Sequence, residues 1–203
     1  LTLTGSAVSA QNLIDLSLLS TYESGVFDEG AMEILAHDPV NQRIFAVNAD
    51  AGGIDIFDIS NPASISLMSS IDVSPYGAAA NSVAYYGGFI VVAVENDNKQ
   101  ANGRAVFYDV NGTYIADIEA GALPDMATFT PDGNKVIVAN EGEPNDEYTI
   151  DPQGSVTIID VSGGIPNLTQ ADATQVSFSQ FDGQEATLRA QGIRIFGEGP
   201  TTA

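Results

Sequence analysis

The run Ile44-Phe45-Ala46-Val47-Asn48-Ala49 returns as Ile90-Val91-Val92-Ala93-Val94-Glu95 and again as Val136-Ile137-Val138-Ala139-Asn140-Glu141. Its fifth residue falls at 48, 94 and 140, so the spacing is 46 residues each time. A second motif follows each copy: Ile54-Asp55-Ile56-Phe57-Asp58-Ile59, then Ala105-Val106-Phe107-Tyr108-Asp109-Val110, then Val156-Thr157-Ile158-Ile159-Asp160-Val161. Its aspartate falls at 58, 109 and 160, a spacing of 51. The difference means that the connection between the two motifs lengthens from one copy to the next. Both motifs are short, β-branched and apolar, which suits strands and is too brief for helices.

Working outward, turn signals precede each first motif. They are His37-Asp38-Pro39-Val40-Asn41-Gln42, Tyr86-Gly87-Gly88 and Pro131-Asp132-Gly133-Asn134, as expected between the strands of a hairpin. A fourth strand is expected at 67–73 and at 114–118. Four strands in a unit of about 45 residues is the period of a propeller blade. The expected fold is all-β: a partial β-propeller of about three four-stranded antiparallel blades, near 30–74, 77–121 and 122–170, in one domain. The one helix signal is 184–191. Closed rings need about four to eight blades, so an open stack leaves edges and faces unpaired. The expectation is that remaining blades of the same polypeptide, or another chain, complete it.

The chain has 203 residues, of which 44% are hydrophobic and 16% charged, with 27 acidic against 6 basic residues and a net charge of −21. That balance disfavours nucleic acid and anionic lipid as partners, and reads either as solubility in a salty or extracellular setting or as attraction for divalent cations. With no cysteine, disulfides, thiolate metal sites and cysteine nucleophiles are excluded. No apolar run approaches the roughly 18 residues of a membrane span. Ala7-Val8-Ser9-Ala10 before Gln11 reads either as the end of a secretion signal or as part of an ordinary first strand.

Catalytic groups are scarce. The single histidine, His37, lies in a turn and reads as turn chemistry. There is no Gly-x-Ser-x-Gly elbow and no phosphate-binding glycine loop. The exception is the stretch Glu141-Gly142-Glu143-Pro144-Asn145-Asp146-Glu147-Tyr148-Thr149-Ile150-Asp151. Its five carboxylates, Glu141, Glu143, Asp146, Glu147 and Asp151, repel one another unless they are freely solvated or share a cation. Oxygen donors without histidine or cysteine point to Ca²⁺. A solvated insertion is the competing reading. A second set, Asp28, Glu29, Glu33 and Asp125, precedes or begins first strands, where loops lie near a propeller's central channel; turn and strand-start chemistry is its competing reading.

The segments 24–34 and 121–126, and above all Val138-Ala139-Asn140-Glu141-Gly142-Glu143-Pro144-Asn145-Asp146-Glu147-Tyr148, resemble the choice-of-anchor I family, as does 188–197. That family is related to mesenchyme-specific cell-surface glycoproteins of biomineralising animals. The resemblance implies a secreted or surface-attached bacterial propeller, with the periplasm as another setting, and further blades after Ala203. Members are often labelled alkaline phosphatase-like, yet no nucleophile beside metal-binding residues can be assigned here. Two functions therefore stand. One is a non-catalytic, calcium-dependent binding or scaffold module. The alternative is a calcium-dependent phosphoric ester hydrolase of propeller type, phytase- or phosphatase-like, in which clustered carboxylates hold the metal. The six basic residues weigh against the second, because phosphate sites draw on Lys and Arg.

Overall fold

The computed structural model describes residues 16–27, 30 and 32–195. The proposed signal-peptidase stretch 7–10, together with Asp28 and Glu29, lies outside the described residues.

Among the described residues, twelve strands form three antiparallel sheets, each a meander in chain order. The first holds β1 (Met32–Asp38), β2 (Arg43–Asn48), β3 (Gly53–Asp58) and β4 (Ser66–Ile71). The second holds β5 (Ala79–Tyr86), β6 (Phe89–Glu95), β7 (Asn102–Asp109) and β8 (Tyr114–Ala122). The third holds β9 (Pro124–Phe129), β10 (Lys135–Asn140), β11 (Ser155–Asp160) and β12 (Ala173–Ser177). The third sheet thus runs past residue 170, because two single-turn 3₁₀ segments, Ile165–Asn167 and Gln170–Asp172, separate β11 from its last strand. His37 and Asp38 close β1 rather than sitting in the turn after it. The α-helix α1 (Glu185–Ala190) follows. This is the expected all-β architecture of three four-stranded blades.

The sheets pack face to face, and β1, β5 and β9 lie side by side along the inner edge. The central strand β6 shows why its sequence is continuously apolar. Ile90, Val92 and Val94 face the first sheet, where they meet Phe45, Val47 and Ile56. Val91 and Ala93 face the third, where they meet Val136, Val138 and Ile159. Each valine, isoleucine or phenylalanine side chain here taken fully from water contributes about 1.5–3 kcal/mol, so both faces of the middle blade bind it to its neighbours.

Buried polar groups pin the registers of the outer blades. Asp55 on β3 accepts hydrogen bonds from Asn48 Nδ2 (2.9 Å) and Ser70 Oγ (2.5 Å). At the matching place in the third blade, Asn140 Nδ2 donates to Thr157 Oγ1 (2.9 Å) and Ser155 Oγ (3.1 Å). A one-residue slip would turn these groups into the apolar layers, unpaired. Close backbone approaches do similar work. A Cβ on Gly103 would stand 2.4 Å from Val94 O and 2.5 Å from Pro124 Cδ.

Candidate functional site: an acidic rim beside the inner strands

The alternation of strand directions places the β6–β7, β8–β9 and β10–β11 connections at one end of the blades. Hydrogen bonds tie them together there. Glu141 N donates to Leu123 O (2.9 Å) and Gly142 N to Ala122 O (3.1 Å). Gln100 Nε2, from the β6–β7 loop, donates to Glu143 O (3.3 Å). Asn81 on β5 donates through Nδ2 to Pro124 O (3.1 Å), with Glu95 Oε2 at 3.4 Å.

The acidic loop 141–151 is built around Asn145. Its Oδ1 accepts from Thr149 N (2.8 Å) and Ile150 N (2.9 Å), while Nδ2 donates to Thr149 Oγ1 (2.9 Å) and Glu147 Oε2 (3.1 Å). The loop therefore has a defined shape that Pro144 and the Asn145 turn support, with Tyr148 held at φ 54° and 69% exposed. At its base Gly142 is required: a Cβ there would lie 2.5 Å from the backbone of 152–154, and φ is +66°.

Of the expected ligands, Asp125 and Glu143 both act on Glu141. Partial burial, then the charges of Asp125 and Glu143, push the Glu141 carboxyl above the usual glutamate range. Glu143, Asp146 and Glu147 line a cleft whose other wall is Asp97, Asn98, Lys99 and Gln100. Glu33 and Asp125 line a separate trough along β1, β5 and β9, with Asn81, Met126 and His37. Asp151 lines neither cleft nor trough. Among the described residues no group of three or more Asp, Glu or His side chains is arranged to hold a metal ion. The loop's oxygens suit a hard cation, but Asn145 is committed to the loop itself.

Sequence reading missed the facing wall, Asp97 to Gln100, and the Asn81–Glu95 bridge. The signal was present: Glu95-Asn96-Asp97-Asn98-Lys99-Gln100 occupies the same place after β6 that the acidic loop occupies after β10. His37, exposed at the far end of β1, stands beside Asp38, which is buried and accepts from Val40 N and Asn41 Nδ2.

The blades and their inner trough define three consecutive units of a β-propeller, with loops gathered at one end. A model of the choice-of-anchor I domain matches residues 33–203, and the chain belongs to that family. Membership supports a surface-associated binding module. No curated protein matches the sequence. Among solved structures, hydrazine synthase of Kuenenia stuttgartiensis superposes with a TM-score of 0.51 at 19% identity, over 65% of this chain and 34% of that one. A luciferin-regenerating enzyme matches with a TM-score of 0.49 at 13% identity, over 62% of this chain and 43% of that one. The chain therefore spans well under half of these proteins, and the first likeness shows the fold alone. No helix among the described residues is long and apolar enough to cross a membrane.

Proposed function

We propose that this chain forms part of a secreted or cell-surface binding module, non-catalytic, whose acidic rim takes up Ca²⁺. The observation that supports it most is the crowding of Glu143, Asp146 and Glu147 on one wall of a cleft, beside a Glu141 carboxyl that burial first, and then the charges of Asp125 and Glu143, hold above the usual range. Mutual repulsion of this kind is relieved when a divalent cation binds between the groups. The ion draws the carboxylates of the rim together rather than filling a ready cage. Glu143, Asp146 and Glu147 then serve as the first donors, with Glu141, Asp125 and Asp151 as the further ones. Bound Ca²⁺ stiffens a loop whose backbone Asn145 already shapes, and that fixes the surface offered to a partner.

The test is a melting curve of the full-length protein against Ca²⁺ concentration. A ligand at about a hundred times its Kd stabilises by roughly 2.7 kcal/mol, so the melting temperature rises with millimolar Ca²⁺ and drops back with chelator. The double variant Glu143→Gln, Asp146→Asn loses that response. A response that survives this variant places the ion elsewhere, and no response removes it. Hydrolysis of a generic phosphate ester, measured in the same buffers, distinguishes the module from a calcium-dependent esterase; turnover that requires Ca²⁺ would overturn the non-catalytic reading.

A further inference from the structure

The chain contains two Asn-Gly pairs, Asn102-Gly103 and Asn111-Gly112, and the structure treats them in opposite ways. Asn111 occupies the exposed turn between β7 and β8, with Gly112 at φ +83°. Arg43, from β2 of the preceding blade, reaches across and donates through Nη1 to Asn111 Oδ1 (3.0 Å) and to Val110 O (2.6 Å). Asn111 Nδ2 makes no hydrogen bond among the described residues. At Asn102 it is the nitrogen that is held: Nδ2 donates to Glu119 Oε1 (3.1 Å). There the backbone is also fixed, because Asn102 pairs with Ala122 in the ladder and its carbonyl accepts from Asn96 Nδ2 (2.9 Å). Gly103 is buried against Val94 O and Pro124.

We propose that Asn111 is a self-modification site, at which Arg43 promotes deamidation through a succinimide. The backbone nitrogen of Gly112 gives its proton to hydroxide and attacks Cγ of Asn111. The negative charge that develops on Oδ1 falls on the atom Arg43 already contacts, which is the arrangement of an oxyanion site. The Cγ–Nδ2 bond then breaks, and Nδ2 leaves as ammonia after taking a proton from water. Water opens the ring at either carbonyl, giving an aspartyl or an isoaspartyl residue at position 111. No oxidant, metal or second protein takes part. Glycine is needed because a side chain at the attacking residue would crowd the ring closure. The turn itself opposes the reaction: Gly112 N donates to Asp109 O (3.0 Å), and the Asp109 carboxylate accepts from Asn111 N and Thr113 N (both 2.8 Å), so this turn must open first. A turn of three residues at the surface opens far more readily than a paired strand.

The consequence lies between blades. Arg43 joins the first blade to the second through this turn, and deamidation replaces its neutral acceptor by a carboxylate. The contact becomes an ion pair in the aspartyl product, whereas the isoaspartyl product displaces the backbone that carries Val110 O.

The experiment incubates the full-length protein at mildly alkaline pH in heavy-oxygen water. Peptide mapping by mass spectrometry follows, with electron-based fragmentation to tell the two products apart. Label should enter at position 111 while position 102 stays unmodified. Arg43→Gln slows the reaction by about threefold to tenfold, less than the hundredfold or more of a buried oxyanion donor, because water competes at the surface. Arg43→Lys recovers part of the rate. Hydrogen exchange at Gly112 and Thr113 reports whether each variant keeps the turn. Equal label at 102 and 111, no label at 111, or a faster reaction in Arg43→Gln with the turn intact would each overturn the proposal. If Arg43→Gln opens the turn, the Arg43→Lys rate decides: a rate no higher than that of Arg43→Gln overturns it, and a higher one supports it.

Discussion

Replacing Gly103 by alanine tests how the second and third blades are joined next to the acidic rim. The added Cβ would meet Val94 O at 2.4 Å, Pro124 Cδ at 2.5 Å and Pro124 Cγ at 2.6 Å. Ordinary carbon contacts begin near 3.5 Å, so each neighbour has to retreat by about 1 Å. None can do so alone. Val94 O belongs to the β6–β7 ladder, and Pro124 is a ring fixed to the start of β9, so relief means spreading two strands or shifting the third blade. Overpacking of this kind costs about 1–3 kcal/mol, and the backbone contact puts Gly103→Ala at the upper end. For a chain of this size each kcal/mol lowers the melting temperature by about 2–4 °C, which gives a fall of about 5–10 °C. The same shift moves Asp125, the residue after Pro124, so the Ca²⁺ response of the rim weakens as well. Gly163→Ala is the control: nothing lies within 4 Å of its Cβ, and it should stay within about 0.5 kcal/mol of wild type. The assay is a thermal melt of both variants followed by circular dichroism. A Gly103→Ala protein melting within a degree or two of Gly163→Ala would refute the reasoning.

Asp55→Ala leaves Asn48 Nδ2 and Ser70 Oγ without their shared acceptor inside the first blade; a loss of about 2–4 kcal/mol is expected, read as a lower urea midpoint, whereas Asp55→Asn, which keeps the shape and one acceptor, should lose less than half as much. Stability should also fall in acid. Burial alone would raise Asp38, but its hydrogen bonds from Asn41, Tyr85 and Val40 outweigh this and hold its carboxyl below the usual aspartate range. A lowered carboxylate contributes stability that is complete above its unfolded value and disappears as pH falls through the folded one. The melting temperature should therefore drop below about pH 4, and Asp38→Asn should be less stable at neutral pH but lose less on acidification; a parallel decline in both proteins would remove Asp38 from the explanation.

The blades were legible because each relies on local signals that recur. The strand motifs repeat, and the aspartates that end β3, β7 and β11 each accept from the backbone two residues on: Ser60 N to Asp58, Asn111 N to Asp109, Ser162 N to Asp160. A short carboxylate at a strand end closing a turn is chemistry of adjacent residues, and sequence shows it directly. The extension of the third blade was not legible. Leu67–Val73 and the other fourth strands carry no strong pattern, and the 3₁₀ segments before β12 are held by contacts distant in sequence, such as Gln170 with the backbone of Glu119 (2.9 and 3.0 Å). A fourth strand at a blade's outer edge is largely exposed, as the burial of β4 shows, so it lacks the apolar alternation that identifies an inner one.

The candidate site was half legible for a related reason. Counting carboxylates found the acidic loop, but counting cannot say which of them meet. Glu141 and Asp125 are brought near one another by two backbone hydrogen bonds, Glu141 N to Leu123 O and Gly142 N to Ala122 O, and these depend on Gly142 at φ +66° with no room for a Cβ. Asn145 is of a type that suits a turn, and it takes that role in the fold: its oxygen accepts from Thr149 N and Ile150 N. Asn145→Ala therefore separates shape from charge, since the variant retains all five carboxylates and loses only the frame that spaces them. If the rim works through its arrangement, the variant binds Ca²⁺ more weakly by about tenfold or more, an entropy of ordering that the Asn145 hydrogen bonds otherwise supply in advance. If the rim is only a concentration of negative charge, calorimetry will give the same affinity for Asn145→Ala and wild type, and the arranged site will have to be abandoned.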